Sequence, residues 1–129
     1  MMRRLLPLIL CAGLTACAST APYQAAQLKG EVYYLERIAL PPAKTRVEVR
    51  LLDVNGPAPA VLAETLIEQP AGVPIPFTLR YDARTSGNLR LDAKLWVDNQ
   101  LMMATPEPQP LALPATEPVR VRVSTVRGG

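Results

Sequence analysis

A chain of 129 residues has room for one folded domain and not two. With 49% hydrophobic and 19% charged residues it can bury a core and is not disordered as a whole, although part of the apolar content sits in one N-terminal block. Histidine is absent, which removes the commonest general base and the commonest metal ligand, so metalloenzymes and Ser-His hydrolases are poor candidates and neither a metal nor another cofactor is expected.

Met1-Met2-Arg3-Arg4 precedes an apolar run from Leu5 to Leu14, the basic n-region and short h-region of a bacterial export signal. The run is too short, and too interrupted by Pro7 and Gly13, to span a bilayer as a mature helix. It ends in Leu14-Thr15-Ala16-Cys17, which resembles the lipobox of bacterial lipoproteins, whereas Cys11 follows the bulky pair Ile9-Leu10 where a signal peptidase needs small residues. Residues 1–16 are therefore expected to be a lipoprotein signal peptide. Cys17 would be the lipidated, palmitate-bearing residue, and residues 17–29 a tether of Ala, Ser, Thr and Gln with no period and at most one helical turn. Several acyl chains at about 0.8 kcal/mol per buried CH₂ anchor a protein without making it span. Ala18, rather than Asp, resembles the pattern forwarded to the outer membrane, with the domain facing the periplasm. Cleavage removes Arg3 and Arg4 from the 14 basic residues, leaving 12 against 11 acidic, so the formal charge falls from +3 to +1 and gives no argument for nucleic acid.

From Gly30 the period becomes two, and residues 30–129 read as the folded domain. Residues 30–40 are β-branched and aromatic and stop at Pro41-Pro42. Residues 46–54 alternate Val47, Val49 and Leu51 against Glu48 and Arg50, and Asn55-Gly56-Pro57 turns the chain. Residues 58–69 carry helix-forming composition with Val61, Leu62, Thr65, Leu66 and Gln69 at helical spacing; strand is the preferred reading, because one helix among short antiparallel strands is the less consistent architecture. Residues 74–82 place Phe77, Leu79 and Tyr81 inward. Residues 89–97 alternate Leu89, Leu91, Ala93, Leu95 and Val97 against Arg90, Asp92 and Lys94, and Asp98-Asn99 returns the chain as a hairpin. Residues 105–118 hold Pro106, Pro108, Pro110, Pro114 and Pro118 and are expected outside any ladder, as an extended surface loop. Val119, Val121 and Val123 make a last strand, and Arg127-Gly128-Gly129 a frayed end. About seven strands at roughly ten-residue spacing predict an all-β, antiparallel β-sandwich.

The blocks Gly30-Glu31-Val32-Tyr33-Tyr34, Arg37-Ile38-Ala39-Leu40-Pro41-Pro42, Val47-x-Val49-x-Leu51-x-Asp53-Val54 and Pro74-Ile75-Pro76-Phe77-x-Leu79-x-Tyr81-Asp82, with Val97-Asp98 leading to Leu101, resemble the YscW/YbaY-type lipoprotein family across residues 30–105. The resemblance implies a small periplasm-facing β-sandwich lipoprotein. One branch of that family, the pilotins of type III secretion, binds a secretin subunit and helps it reach or assemble in the outer membrane. The expectation is thus a non-enzymatic, monomeric envelope lipoprotein that binds or helps assemble another envelope protein, with a periplasmic small-ligand carrier or enzyme as the alternative.

The residues themselves offer little chemistry. Glu31, Glu36, Asp53, Asp82 and Asp92 are the carboxylates from which a catalytic pair would have to come, but Asp53 and Asp82 read better as Asx-turn residues and Glu36 sits beside Arg37. Arg80, Asp82, Arg90, Asp92 and Lys94 read as exposed ion pairs worth under about 1 kcal/mol each. One patch departs from this polarity. A two-residue turn at Asp98-Asn99 pairs Trp96 with Leu101, Leu95 with Met102 and Lys94 with Met103, which leaves Trp96, Leu101 and Met103 on the polar face as a partner-binding patch. Cover by the Pro-rich segment or the tether, and a different register, are the other readings of the same residues.

Overall fold

The computed structural model describes residues 22–126, so the expected signal peptide, Cys17 and the C-terminal Arg127-Gly128-Gly129 lie outside the described residues. The alternating segments become strands β1 (Ala25–Tyr33), β2 (Thr45–Asp53), β3 (Ala60–Glu68), β4 (Ile75–Asp82), β5 (Leu89–Val97), β6 (Gln100–Ala104), β7 (Gln109–Pro110), β8 (Val119–Arg122) and β9 (Ser124–Thr125), with one 3-10 turn at Pro42–Lys44. They form two sheets. The smaller is ordered β4-β1-β8, and the larger β3-β2-β5-β6-β9 with β7 also bonded to β5. The all-β sandwich is what the alternation called for.

Period-two patterning needs two apolar faces that meet, and they do. Leu28 and Val32 of β1, Phe77 and Leu79 of β4 and Val121 of β8 pack on Val47, Val49, Leu91, Leu95 and Met103 of the larger sheet in one continuous core. Each fully buried side chain of this kind contributes about 1.5–3 kcal/mol of hydrophobic stabilisation before entropy. Gly30 allows β1 to sit between its neighbours, because a Cβ there would collide with the Val119 carbonyl and the Phe77 ring.

The first strand is displaced from its expected place. It starts at Ala25, inside the segment read as tether, and ends at Tyr33, so that residues 34–41 form a loop. Ala25 to Lys29 have little β character of their own, but Asp82 to Thr78 of β4 pair with them residue by residue and Leu28 enters the core. A partner strand remote in sequence overrides weak local propensity here. The same logic settles the ambiguous segment as strand over Ala60–Glu68. Ala63, Thr65 and Ile67 face inward half-buried, while the larger Val61, Leu62 and Leu66 stay exposed, which is why periodicity alone left the segment ambiguous.

Two further expectations are corrected at the C-terminal side. The Pro-rich segment does enter a ladder: Gln109 and Pro110 pair with Leu91 and Arg90, and the Leu111 amide donates to the Leu89 carbonyl at 3.1 Å. It takes up the pairing with β5 where β6 stops. Pro110 is tolerated because this is a sheet edge, where its missing N–H removes no bond. The last long strand is parallel to β1, with Gly30, Glu31, Val32 and Tyr33 opposite Val119, Arg120, Val121 and Arg122. The chain leaves β7 at the end of the sandwich where β1 begins, so β8 must start there and run the same way. The Val123 amide still bonds to Tyr33, after which Ser124 and Thr125 pair with Ala104 and Met103 of the opposite sheet.

The hairpin turn is as expected, with Asp98 and Asn99 at φ 54° and 68°. Its register is not. Val97 pairs with Gln100 and Trp96 with Leu101, but a bulge then leaves Met102 unpaired, so Leu95 faces Met103 and Lys94 faces Ala104. Met103 is 1% exposed in the core and Met102 is 37% exposed.

At the β4 terminus, Asp82 accepts the Arg84 amide at 3.0 Å, the expected Asx turn, and takes the Arg84 guanidinium at 3.1 and 2.6 Å. These hydrogen bonds lower its pKa from 3.8 to about 2. Two expectations follow. Met103→Ala is expected to cost about 2–5 kcal/mol in denaturant unfolding, and Met102→Ala no more than about 0.5 kcal/mol. Because the Asp82 pKa is depressed in the fold, its contribution is present above the unfolded value and lost as pH falls from about 4 towards 2; urea midpoints over that window should fall more steeply for the wild type than for Asp82→Asn.

Candidate functional site

The outer face of the larger sheet is built from the residues that alternate with the core. Cross-strand pairing aligns Glu68, Arg46, Trp96 and Leu101 in one row across β3, β2, β5 and β6. The next rows are Leu66, Glu48, Lys94 and Ala104, and then Glu64, Arg50 and Asp92. A last row joins Val61, Leu52, Arg90 and Pro110. Trp96 and Leu101 thus do sit together on this face, half-exposed. Met103 does not join them, because the bulge turns it into the core. A one-residue shift reverses every side chain beyond it, and with Met at both 102 and 103 the hydrophobic pattern could not choose between the registers.

The Pro-rich segment does not cover Trp96. β7 meets β5 at Leu91 and Arg90, five or more residues along the strand. What covers Trp96 is Arg46, whose guanidinium lies 5.2 Å from the indole centroid and donates from Nη1 to Asn99 Oδ1 at 2.7 Å. The turn, the arginine and the indole are held as a unit. Beside them Lys44, Thr45, Glu68, Gln69 and Asp98 line a shallow polar cleft at the same end of the sheet.

In the middle of the face, Arg50 Nε and Nη2 donate to Asp92 Oδ1 and Oδ2 at 3.1 and 2.9 Å, a bidentate pair that raises the arginine pKa. The other carboxylates each have a local role. Glu31 accepts from Arg120 Nε at 3.0 Å, and the same guanidinium stacks 4.2 Å from the Tyr33 centroid. Glu36 lies on the loop after β1, not on a strand, and accepts the Thr125 amide at 2.9 Å, which lowers its pKa. Asp53 accepts the Asn55 amide at 3.0 Å. Each of these carboxylates is taken up by a donor of its own, as Asp82 is by Arg84.

Sequence reasoning missed a second apolar group. Leu66 is 53% exposed, Val61 47% and Leu62 43%, all on β3 at the margin of the same face. The signal was present as apolar residues in the segment of ambiguous period, but only the structure shows that its large side chains point outward.

Comparison with known proteins bears on this fold directly. The family model described as "Type III secretion system lipoprotein chaperone (YscW)" matches residues 23–123. Among solved structures, an alternative pilotin from the type II secretion system of Vibrio cholerae superposes with a TM-score of 0.71 at 31% identity, covering 81% of this chain and 100% of that one. Among curated proteins, none matches the chain. The match runs from just before β1 through Val123, beyond the 30–105 span legible in the strand motifs, and so takes in the Pro-rich crossover and the parallel strand: the chain belongs to the YscW family of type III secretion system lipoprotein chaperones.

Proposed function

We propose that this protein is an outer-membrane lipoprotein, anchored through Cys17 and facing the periplasm, that binds a secretin subunit and assists its assembly without catalysing a reaction. The observation that carries this reading is the family match across residues 23–123 together with a pilotin 31% identical over its whole length. The lipobox-like Leu14-Thr15-Ala16-Cys17 lies eight residues before β1, so an extended linker of that length reaches at most about 28 Å and holds the sandwich close to its bilayer. The core favours this over a small-ligand carrier, because Leu28, Phe77, Leu79, Leu91, Leu95 and Met103 meet in the space between the sheets that a ligand would need.

The binding surface in this reading is the outer face of the larger sheet, where Trp96, Leu101 and Arg46 offer an aromatic–arginine anchor of the kind that dominates interface energies. Met103 contributes from beneath, by holding β6 on the core.

Two measurements check the proposal. Cys17→Ser is expected to lose radiolabelled palmitate and membrane retention and to leave multimeric secretin in the outer membrane strongly reduced; equal label and equal multimer in the variant would defeat it. Trp96→Ala should weaken secretin capture by about thirtyfold, since a central Trp costs 2 kcal/mol or more, while its melting temperature stays within about 2 °C of wild type. Unaltered capture would move the anchor away from Trp96.

A further inference from the structure

Among the described residues, β3 ends the larger sheet on one side, bonded to β2 and to no strand beyond it. The register shows which of its backbone groups are already used. The Gln69 amide donates to the Thr45 carbonyl at 3.0 Å, so in this antiparallel pair Ile67 and Thr65 exchange bonds with Val47 and Val49. The alternate residues Glu64, Leu66 and Glu68 therefore turn their amides and carbonyls to the open edge. β4 touches β3, yet belongs to the other sheet and shares no ladder with it.

The two edges are not equivalent. The Ala83 amide bonds to the Gln24 carbonyl at 2.7 Å, which by the same alternation turns Pro76, Thr78 and Arg80 of β4 outward. Pro76 has no N–H to offer, so β4 is guarded against another strand. β3 has no proline between Ala60 and Glu68, and it carries the exposed Val61, Leu62 and Leu66.

Charge says what fits there. Glu64 and Glu68 flank Leu66 on the exposed face, and neither is in a salt bridge among the described residues, Arg50 being held by Asp92. A second copy of this chain is a poor occupant. Pairing β3 with β3 would gather four glutamates along one seam, with no basic residue on either strand.

We propose that β3 is a strand-addition site, at which an extended segment of the secretin subunit joins the larger sheet. The segment carries an aliphatic residue opposite Leu66 and Lys or Arg opposite Glu64 and Glu68, with apolar residues on its other face covering Thr65 and Ile67. This rests on the secretin-binding role proposed above and names the backbone that performs it.

The experiment uses the full chain in detergent and its co-purified secretin. Leu66→Pro deletes an edge donor and leaves the Thr65 and Ile67 bonds to β2 in place; Glu64→Lys with Glu68→Lys reverses the charge without touching the backbone. Each is expected to weaken capture about tenfold or more, with Lys29→Ala on the smaller sheet as an unaffected control. Hydrogen exchange at the Glu64, Leu66 and Glu68 amides should slow in the complex. Capture that survives the charge reversal, with no new protection at those amides, overturns the strand-addition site and leaves the secretin-binding role standing. If wild type captures no secretin, that role fails instead. The edge is then read with a synthetic peptide of alternating lysine and valine: protection of the three amides supports it, and unchanged exchange overturns it. A dimer of the free chain that Leu66→Pro dissolves would assign the edge to a second copy.

Discussion

Val32 and Val121 of the smaller sheet and Val47, Leu91 and Met103 of the larger one are sealed from water in the same seam, and that dry contact is the constraint the remaining structure obeys. The smaller sheet turns Leu28, Val32, Phe77, Leu79 and Val121 to one face, so β1, β4 and β8 need the larger sheet to keep that face from water. The bulge in the β5–β6 hairpin, the parallel β8 and the crossing at Val123 each deliver an apolar residue to this seam. Gly30 shows the tolerance involved, since β1 fits between β4 and β8 only because one side chain is missing.

What lies outside the seam differs between the two faces. The smaller sheet presents Lys29, Arg80, Arg120 and Arg122 with Glu31 among them. The larger presents acids and bases in alternation, with the Arg50–Asp92 pair at its centre and the Arg46–Trp96 stack at one end. Exposed pairs of this kind add little stability. Their effect is geometric: Arg46 is fixed at both the indole and the Asn99 turn, so the aromatic anchor is presented in one orientation.

This arrangement suits a protein that binds other proteins. Three of its exposed large apolar residues, Val61, Leu62 and Leu66, fall on the single edge strand β3, at the margin of the face that carries Trp96. The family match extends through the crossover and the parallel strand, which marks those C-terminal elements as part of the shared fold.

The sequence by itself determined the class of fold, the inward sets of β2, β4 and β5, the Asp98-Asn99 turn and the Asx turns at Asp53 and Asp82, because each depends on residues within a few positions of one another. It also carried the family, through the Arg-Ile-Ala-Leu-Pro-Pro and Pro-Ile-Pro-Phe blocks. Only the tertiary structure decided that β1 begins at Ala25, that Met103 and not Met102 enters the core, that Gln109 and Pro110 pair with β5, and that β8 runs parallel to β1. Each of these is a choice between alternatives with nearly equal local energies. The choice is made by a partner strand tens of residues away, and no local pattern in the chain encodes which partner will be there.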